Sequence, residues 1–295
     1  MNEHSSPTPF HFCLFLAVAI LWGLNWQVVK SAMPAIPPFW LRGASTFLGG
    51  LGLLLMARMK GRSIRPAQGE IKILCWLSLW NITLWGAFSA YGVLLLPSGR
   101  AALLAFTMPV WSVLLSVCWL HETLGRRRLV GLILGSLGVF ALMASRFSLD
   151  GALAGSALML GAAVSWAVGV VSIKRFPVVM PPYVFVGWMM TLGSLPLMLA
   201  AFLFEGVSWP HPGASPMLGF LYMTFISGML CSWAWNYLVL KLPVAVSSLS
   251  SLLTPLVGVA GGMLILGEKP GFPEFLGAAF ILGAVLFVTS RSADS

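Results

Sequence analysis

Charge is what this chain has least of. Lys, Arg, Asp and Glu together make up 8% of its 295 residues, while 59% are hydrophobic. A soluble domain carries about 25% charged residues, so no water-facing surface can be assembled here and most of the chain belongs in a bilayer. The formal net charge of +9 does not mark a nucleic-acid binder, which needs a basic face on a folded domain. Here Lys and Arg sit in short clusters between apolar runs, the pattern of membrane orientation. Cysteine is also scarce: Cys13, Cys75, Cys118 and Cys231 lie in or beside apolar runs without CxxC spacing. Neither a disulfide framework nor a zinc site is supported, and no metal or cofactor is expected. His121-Glu122 starts like a metalloprotease motif, but Gly125 stands where the second His is required, which excludes a zinc hydrolase. The first twelve residues hold no Lys or Arg and no small-residue cleavage site follows the first apolar run, so no signal peptide is expected.

A bilayer core needs about 20 apolar residues per helix. Runs that qualify cover 11–33, 38–57, 72–95, 99–120, 128–145, 151–173, 183–204, 216–240, 244–266 and 274–290, which predicts an all-α integral membrane protein of ten transmembrane helices. With the N-terminus inside, Arg58, Lys60, Arg126, Lys174 and most other basic residues fall on inner loops. Lys30, Arg42, Arg100, Arg146 and Lys269 remain outside. The excess of positive charge on short inner loops predicts that both termini are cytoplasmic.

Self-comparison exposes a duplication. "YGVLLLP" (91–97) matches "YLVLKLP" (237–243) at an offset of 146, which also brings Pro109 onto Pro255 and "LHE" (120–122) onto "LGE" (266–268). Nearer the start of each half the offset is 144, and there Trp22 meets Trp166, Lys30 meets Lys174, and Pro37-Pro38 meets Pro181-Pro182. The halves, 1–145 and 146–295, read as two copies of a five-helix unit. Five is odd, so the copies insert with opposite orientation. Inverted repeats are a recurring plan of secondary transporters, which hold substrate near the midplane between the halves.

Polar and aromatic side chains are concentrated inside certain runs. In "LWGLNWQVVK" (21–30), Trp22, Asn25, Trp26 and Val29 share a helical stripe about 100° wide. An amide in a bilayer is costly unless paired or facing water, so this stripe is expected to line a cavity. "LWNITLW" (79–85) adds Trp80 and Asn81, and "CSWAWNY" (231–237) adds Trp233, Trp235, Asn236 and Tyr237, with Trp111 and Trp166 completing the candidate lining. Tyr91 and Lys30 are second-tier candidates, Lys30 being equally suited to anchor at the interface by snorkelling. Trp40, Trp76 and Trp209, near loops, suit an interfacial belt. Pro109 and Pro255 are expected inside helices, either as hinges or as static kinks. Glu122 and Glu268 are expected to cap helix N-termini. Gly131 and Gly135 are expected to serve close helix packing.

The ordered motifs, an "LWG" late in the first helix, a tyrosine and then a proline before the fourth, "TMP" or "LTP" inside the fourth, and "HE" or "GE" before a Gly-rich fifth, resemble the EamA repeat in both halves. That is the ten-helix branch of the drug/metabolite transporter superfamily. Within it the Trp-rich interior resembles most the bacterial aromatic amino-acid exporters of the YddG type. The resemblance implies a basket of helices 1–4 and 6–9 around a central cavity, with helices 5 and 10 peripheral. One departure is His121, where the family usually shows Gly.

The expected function is export of neutral amino acids, aromatic and large apolar ones, across a bacterial inner membrane by a monomer using alternating access. Other family substrates, a purine, a nucleotide sugar or a drug-like compound, remain open. A membrane-embedded lipid-modifying enzyme is the different-class rival, and it would need an intramembrane His/Asp/Glu constellation. All eight acidic residues, Glu3, Glu70, Glu122, Asp150, Glu205, Glu268, Glu274 and Asp294, fall at termini, loops or helix ends, and no histidine lies at mid-run. A proton-driven carrier usually needs such a group inside the membrane, so passive, gradient-driven movement is expected.

Overall fold

Two proline pairs start two of the long helices in the same way. Pro37 and Pro181 hold extended backbone, with ψ 144° and 135°, and Pro38 and Pro182 take the first helical position. A proline there has no N–H to lose and its φ is already helical, while the residue before it is kept out of the helical region. The computed structural model describes residues 9–66, 69–121, 125–144, 152–176, 178–206, 212–241 and 244–289, and every regular element in them is helical.

The helices are α1 (Pro9–Ala32), α2 (Pro38–Met59), α3 (Glu70–Leu95), α4 (Ser98–Ala105 continuing as Met108–Leu120), α5 (Arg126–Ala144) and α6 (Ala152–Arg175). They continue with α7 (Pro182–Glu205), α8 (Ala214–Lys241), α9 (Val244–Leu266) and α10 (Phe272–Thr289). Among the described residues, α1, α2, α3, α4, α6, α7 and α8 are long and apolar enough to cross a membrane, and α5, α9 and α10 carry shorter apolar stretches. Large apolar side chains cover the outside: Phe204 is 78% exposed and Leu264 86%. Such a surface is stable against lipid and not against water.

The first piece of α4 is buried on every side, from Ser98 to Ala105, as expected of a central helix. Around it α2 packs on α7, α5 on α10, α1 on α9, and α6 on both α3 and α4. These pairings map onto one another when the first five helices are exchanged with the last five: α1 on α9 becomes α6 on α4. Close approach depends on small residues. A Cβ on Gly50 of α2 would stand 2.8 Å from the Thr191 nitrogen and 2.9 Å from the Gly187 carbonyl of α7. Gly138 and Gly277 do the same where α5 meets α10, a Cβ on Gly138 falling 2.7 Å from Ile281 and one on Gly277 2.6 Å from Leu142. That is membrane helix packing of the small-residue kind.

Regular helix fails at specific places. α4 is interrupted at Phe106-Thr107, and Pro109 sits in the first turn of the piece that restarts at Met108. Pro109 therefore opens a helix instead of kinking one, for the same reason as Pro38 and Pro182. Pro255 does lie inside a continuous helix, α9. Residues 79–84 of α3, 201–205 of α7 and 222–231 of α8 are π-helical, and these wide turns have no counterpart in the apolar pattern of the sequence. The offset of 146 carries the α3 segment onto the interior of the α8 segment.

The "HE" and "GE" motifs gain a conformational reason. His121 and Gly267, one offset apart, both end a helix in the left-handed region, at φ 55° and 64°. Glycine takes that conformation freely, whereas for a residue with a side chain it costs about 1 kcal/mol. His121→Gly is therefore expected to raise the unfolding temperature of the detergent-purified protein, and Gly267→Ala to lower it. A fall on His121→Gly would contradict this account.

Candidate functional site

The stripe on α1 faces the interior. Trp22, Asn25 and Trp26 line a cavity of about 350 Å³ together with residues of α2, α3, α4, α6, α7, α8 and α9. Its wall is aromatic. Trp26 meets Trp85 edge-on with ring centroids 6.3 Å apart, Trp85 meets Trp166 at 5.1 Å, and Trp166 meets Phe106 at 6.2 Å. Trp22 lies 5.8 Å from Trp235 and donates its Nε1 to the Ser227 carbonyl at 3.1 Å. Pairs tilted or edge-on at these spacings gain beyond simple burial.

Polar groups punctuate this wall. Asn81 donates to the Leu77 carbonyl at 2.9 Å, at the head of the π-helical turn. A side chain that takes up a helix carbonyl is a recognised cause of such irregularity. Asn25 Oδ1 is shielded from solvent and has no hydrogen-bond partner, and the same holds for Arg42 Nε. Arg42, one turn into α2, is the one charged side chain among the described residues that line this cavity. Thr254, beside Pro255, and Phe106, at the α4 break, also border it. Irregular backbone at membrane depth is tolerated where it lines a cavity.

Of the residues singled out from the sequence, Trp22, Asn25, Trp26, Asn81, Trp166 and Trp235 line the cavity, and Trp80, Trp111, Trp233 and Tyr237 do not. Trp233 and Tyr237 stack on each other, centroids 5.9 Å apart and planes 19° apart, and all three aromatics of this stretch, Trp235 included, border the cluster around Phe15 and Val18 of α1. Trp235 stands two residues from each, about 200° around the helix, and is the one of the three that meets Trp22 and the cavity. Trp80, next to Asn81, packs against Trp76 at 5.6 Å. Trp111 donates to Thr107 Oγ1 at 3.1 Å. The side chain of Asn236, Glu122 and Trp209 lie outside the described residues. Lining residues without an advance signal were Arg42, Thr46, Met189, Met190 and Ser227. Arg42 read as an outer-loop charge, and the methionines as ordinary core.

Lys30 and Tyr91 belong to a different structure, at the helix ends beyond the cavity. Lys30 donates to the Leu96 carbonyl at the end of α3, and Gln27 donates to Ser98 Oγ at 3.1 Å and to the Gly258 carbonyl at 2.6 Å. Glu268 accepts from the amides of Ser98 (2.5 Å) and Gly99 (3.1 Å). It thus caps α4, a helix of the other half, and not the helix that follows it. Glu205 caps α2 in the same fashion, accepting from Phe39 and Trp40 at 2.8 and 3.0 Å and from the Tyr91 hydroxyl at 3.1 Å. Buried Arg100 lies 3.9 Å from Glu274 and donates to the Leu142 carbonyl. A second cavity of about 420 Å³ lies here, but of its charged groups Arg100, Glu268 and Glu274 are engaged with each other or with backbone.

Comparison with known proteins agrees with this architecture. The model of the EamA-like transporter family matches residues 10–144 and again 153–290. The chain is 29% identical to "Uncharacterized transporter YvbV" of Bacillus subtilis, covering 95% of this chain and 91% of that one. It is 28% identical to a "Probable amino-acid metabolite efflux pump" of Salmonella typhimurium, covering 92% of each. The Escherichia coli protein of the same description is 26% identical, with 91% of each covered. A solved crystal structure superposes with a TM-score of 0.67 at 20% identity over 95% of this chain and 96% of that chain, a likeness of fold.

The Glu268 cap can be tested directly. Glu268→Ala leaves two buried amides without an acceptor and is expected to cost about 1–3 kcal/mol, read as thermal unfolding in detergent. Glu268→Gln keeps one acceptor and should lose less. Equal stability of all three proteins would remove the capping role.

Proposed function

The chain belongs to the EamA-like transporter family, and we propose that it exports neutral amino acids with aromatic or large apolar side chains by alternating access, as YddG-type exporters of that family do. It is a multi-pass membrane transporter and not an enzyme. One observation carries the substrate reading: the continuous wall Trp26–Trp85–Trp166–Phe106 along a cavity of about 350 Å³. That volume lies within the range of about 300–1,000 Å³ of small-molecule sites. Flat rings slide between such side chains, and the amides and hydroxyls of Asn25, Thr46 and Thr254 are placed for a small polar head. Two relatives described as amino-acid metabolite efflux pumps favour amino acids over a purine, a nucleotide sugar or a drug-like compound.

We read the architecture as ten spans in two inverted five-helix repeats, 1–145 and 146–295, with both termini cytoplasmic in a bacterial inner membrane. The exchange symmetry of helix pairings and the double family match support the repeats, and the basic inner loops support the orientation. α5 and α10 pack chiefly against each other, which suits a peripheral place. Pro109 and Pro255 act as hinges in this reading, because the α4 break and the α9 proline both lie against the cavity and would let each helix bend around bound substrate.

Movement is driven by the substrate gradient alone. Each described acid is occupied by backbone amides at a helix end: Glu70 by Val179, Glu205 by Phe39 and Trp40, Glu268 by Ser98 and Gly99, and Glu274 by Gly271. A proton carrier would want one of them free in the cavity. Liposomes containing the purified protein should take up labelled phenylalanine or tryptophan down its gradient, with no added accumulation when a pH gradient is imposed. Trp85→Ala and Trp166→Ala should slow flux about tenfold or more, in line with the loss of a stacked ring, while the purified variants remain folded. Absence of flux for every neutral amino acid would sink the substrate assignment, and concentrative uptake driven by pH alone would sink the uncoupled mechanism.

A further inference from the structure

A charge beside a cavity at membrane depth needs a partner, and among the described residues Arg42 has none. Its Nε is shielded from solvent without a hydrogen bond, and the described ion pair, Arg100 with Glu274, lies elsewhere. No described acid lines the cavity, and each of those acids is already held by backbone amides. Leaving a shielded guanidinium donor so is costly, and an ionisable group within the membrane marks a functional site by default. Asn25 presents the complementary vacancy: its Oδ1, an acceptor, also borders the cavity without a donor. The cavity thus offers one unsatisfied cationic donor and one unsatisfied neutral acceptor, joined by a wall of indoles.

We propose that Arg42 is the anion anchor of the transport site, its guanidinium receiving the carboxylate of the substrate, and that Asn25 Oδ1 receives the substrate ammonium. A guanidinium presents donors in a planar fork that matches a carboxylate. An amide oxygen accepts from an ammonium without adding a full negative charge. The two together select the zwitterion of an α-amino acid, whose side chain then lies along Trp26, Trp85 and Trp166. The ammonium half of this assignment rests on the amino-acid reading above, and the anion half does not. Snorkelling would explain a lysine or arginine at a helix start, but the cavity contact and shielded Nε of Arg42 place its head inward.

The test separates the two halves. Binding to the detergent-purified protein is measured for phenylalanine, for 3-phenylpropionate, which keeps the carboxylate alone, and for phenethylamine, which keeps the ammonium alone. Expected for the wild type is tighter binding of 3-phenylpropionate than of phenethylamine, by about tenfold or more. Arg42→Gln should weaken 3-phenylpropionate by a similar factor and leave phenethylamine unchanged, with Arg42→Lys intermediate. Asn25→Leu should weaken phenylalanine and not 3-phenylpropionate. Equal affinity of the wild type for the two half-substrates, or binding of neither, overturns the anchor, and that comparison requires no variant to fold. Phenylalanine flux with unchanged KM in Arg42→Gln also overturns it while leaving the amino-acid reading intact. Absent phenylalanine flux with Arg42-dependent binding of 3-phenylpropionate does the reverse.

Discussion

In hydrocarbon a polar group finds a partner inside the protein or none at all. Helix termini are the acute case, because the first N–H and last C=O groups have no partner within their own helix. Here those groups are met by side chains from distant parts of the chain. Glu205 closes the start of α2, Glu268 the start of α4, Lys30 the end of α3, and Glu70 reaches the turn before α7. Each such bond joins elements that the sequence keeps far apart, and three of the four join one half of the chain to the other. The same contacts that satisfy the backbone therefore hold the halves in register.

This use of charge shapes the site. With the described acids committed to helix ends, the cavity is left with indoles, a few amides and hydroxyls, and Arg42. Its polarity is the remainder after capping has taken its share. Most of the irregular backbone follows the same boundary, the π-helical turn at 201–205 of α7 excepted. The α4 break at Phe106-Thr107, the π-helical turns of α3 and α8, and Pro255 of α9 all come to the cavity or contain residues that line it. Away from the cavity, α5 and α10 meet through Gly138 and Gly277 without such interruptions.

Much of this was legible from residue types alone. Scarce charge with long apolar runs dictates helices in a bilayer, because a helix satisfies its own backbone there. The offsets of 144 and 146 align one half of the chain with the other, and paired prolines marked the starts of α2 and α7. The amide within the α1 stripe pointed to the cavity because Asn25 has a cost in lipid that a leucine would not have. All of these are local properties, set by composition, period and the conformational limits of proline and glycine.

Tertiary structure decided which member of each aromatic cluster reaches the cavity. Trp233, Trp235 and Tyr237 are indistinguishable by composition, and the pose of α8 against α1 turned Trp235 inward and stacked the other two on each other. Lys30 and Arg42 looked alike as outer basic residues. The first lies against the last carbonyls of α3 and is engaged there, while the second stands a turn inside α2 with no described carbonyl or carboxylate to meet. Partner choice depends on distances between helices far apart in sequence, and no local pattern of residue types contains them.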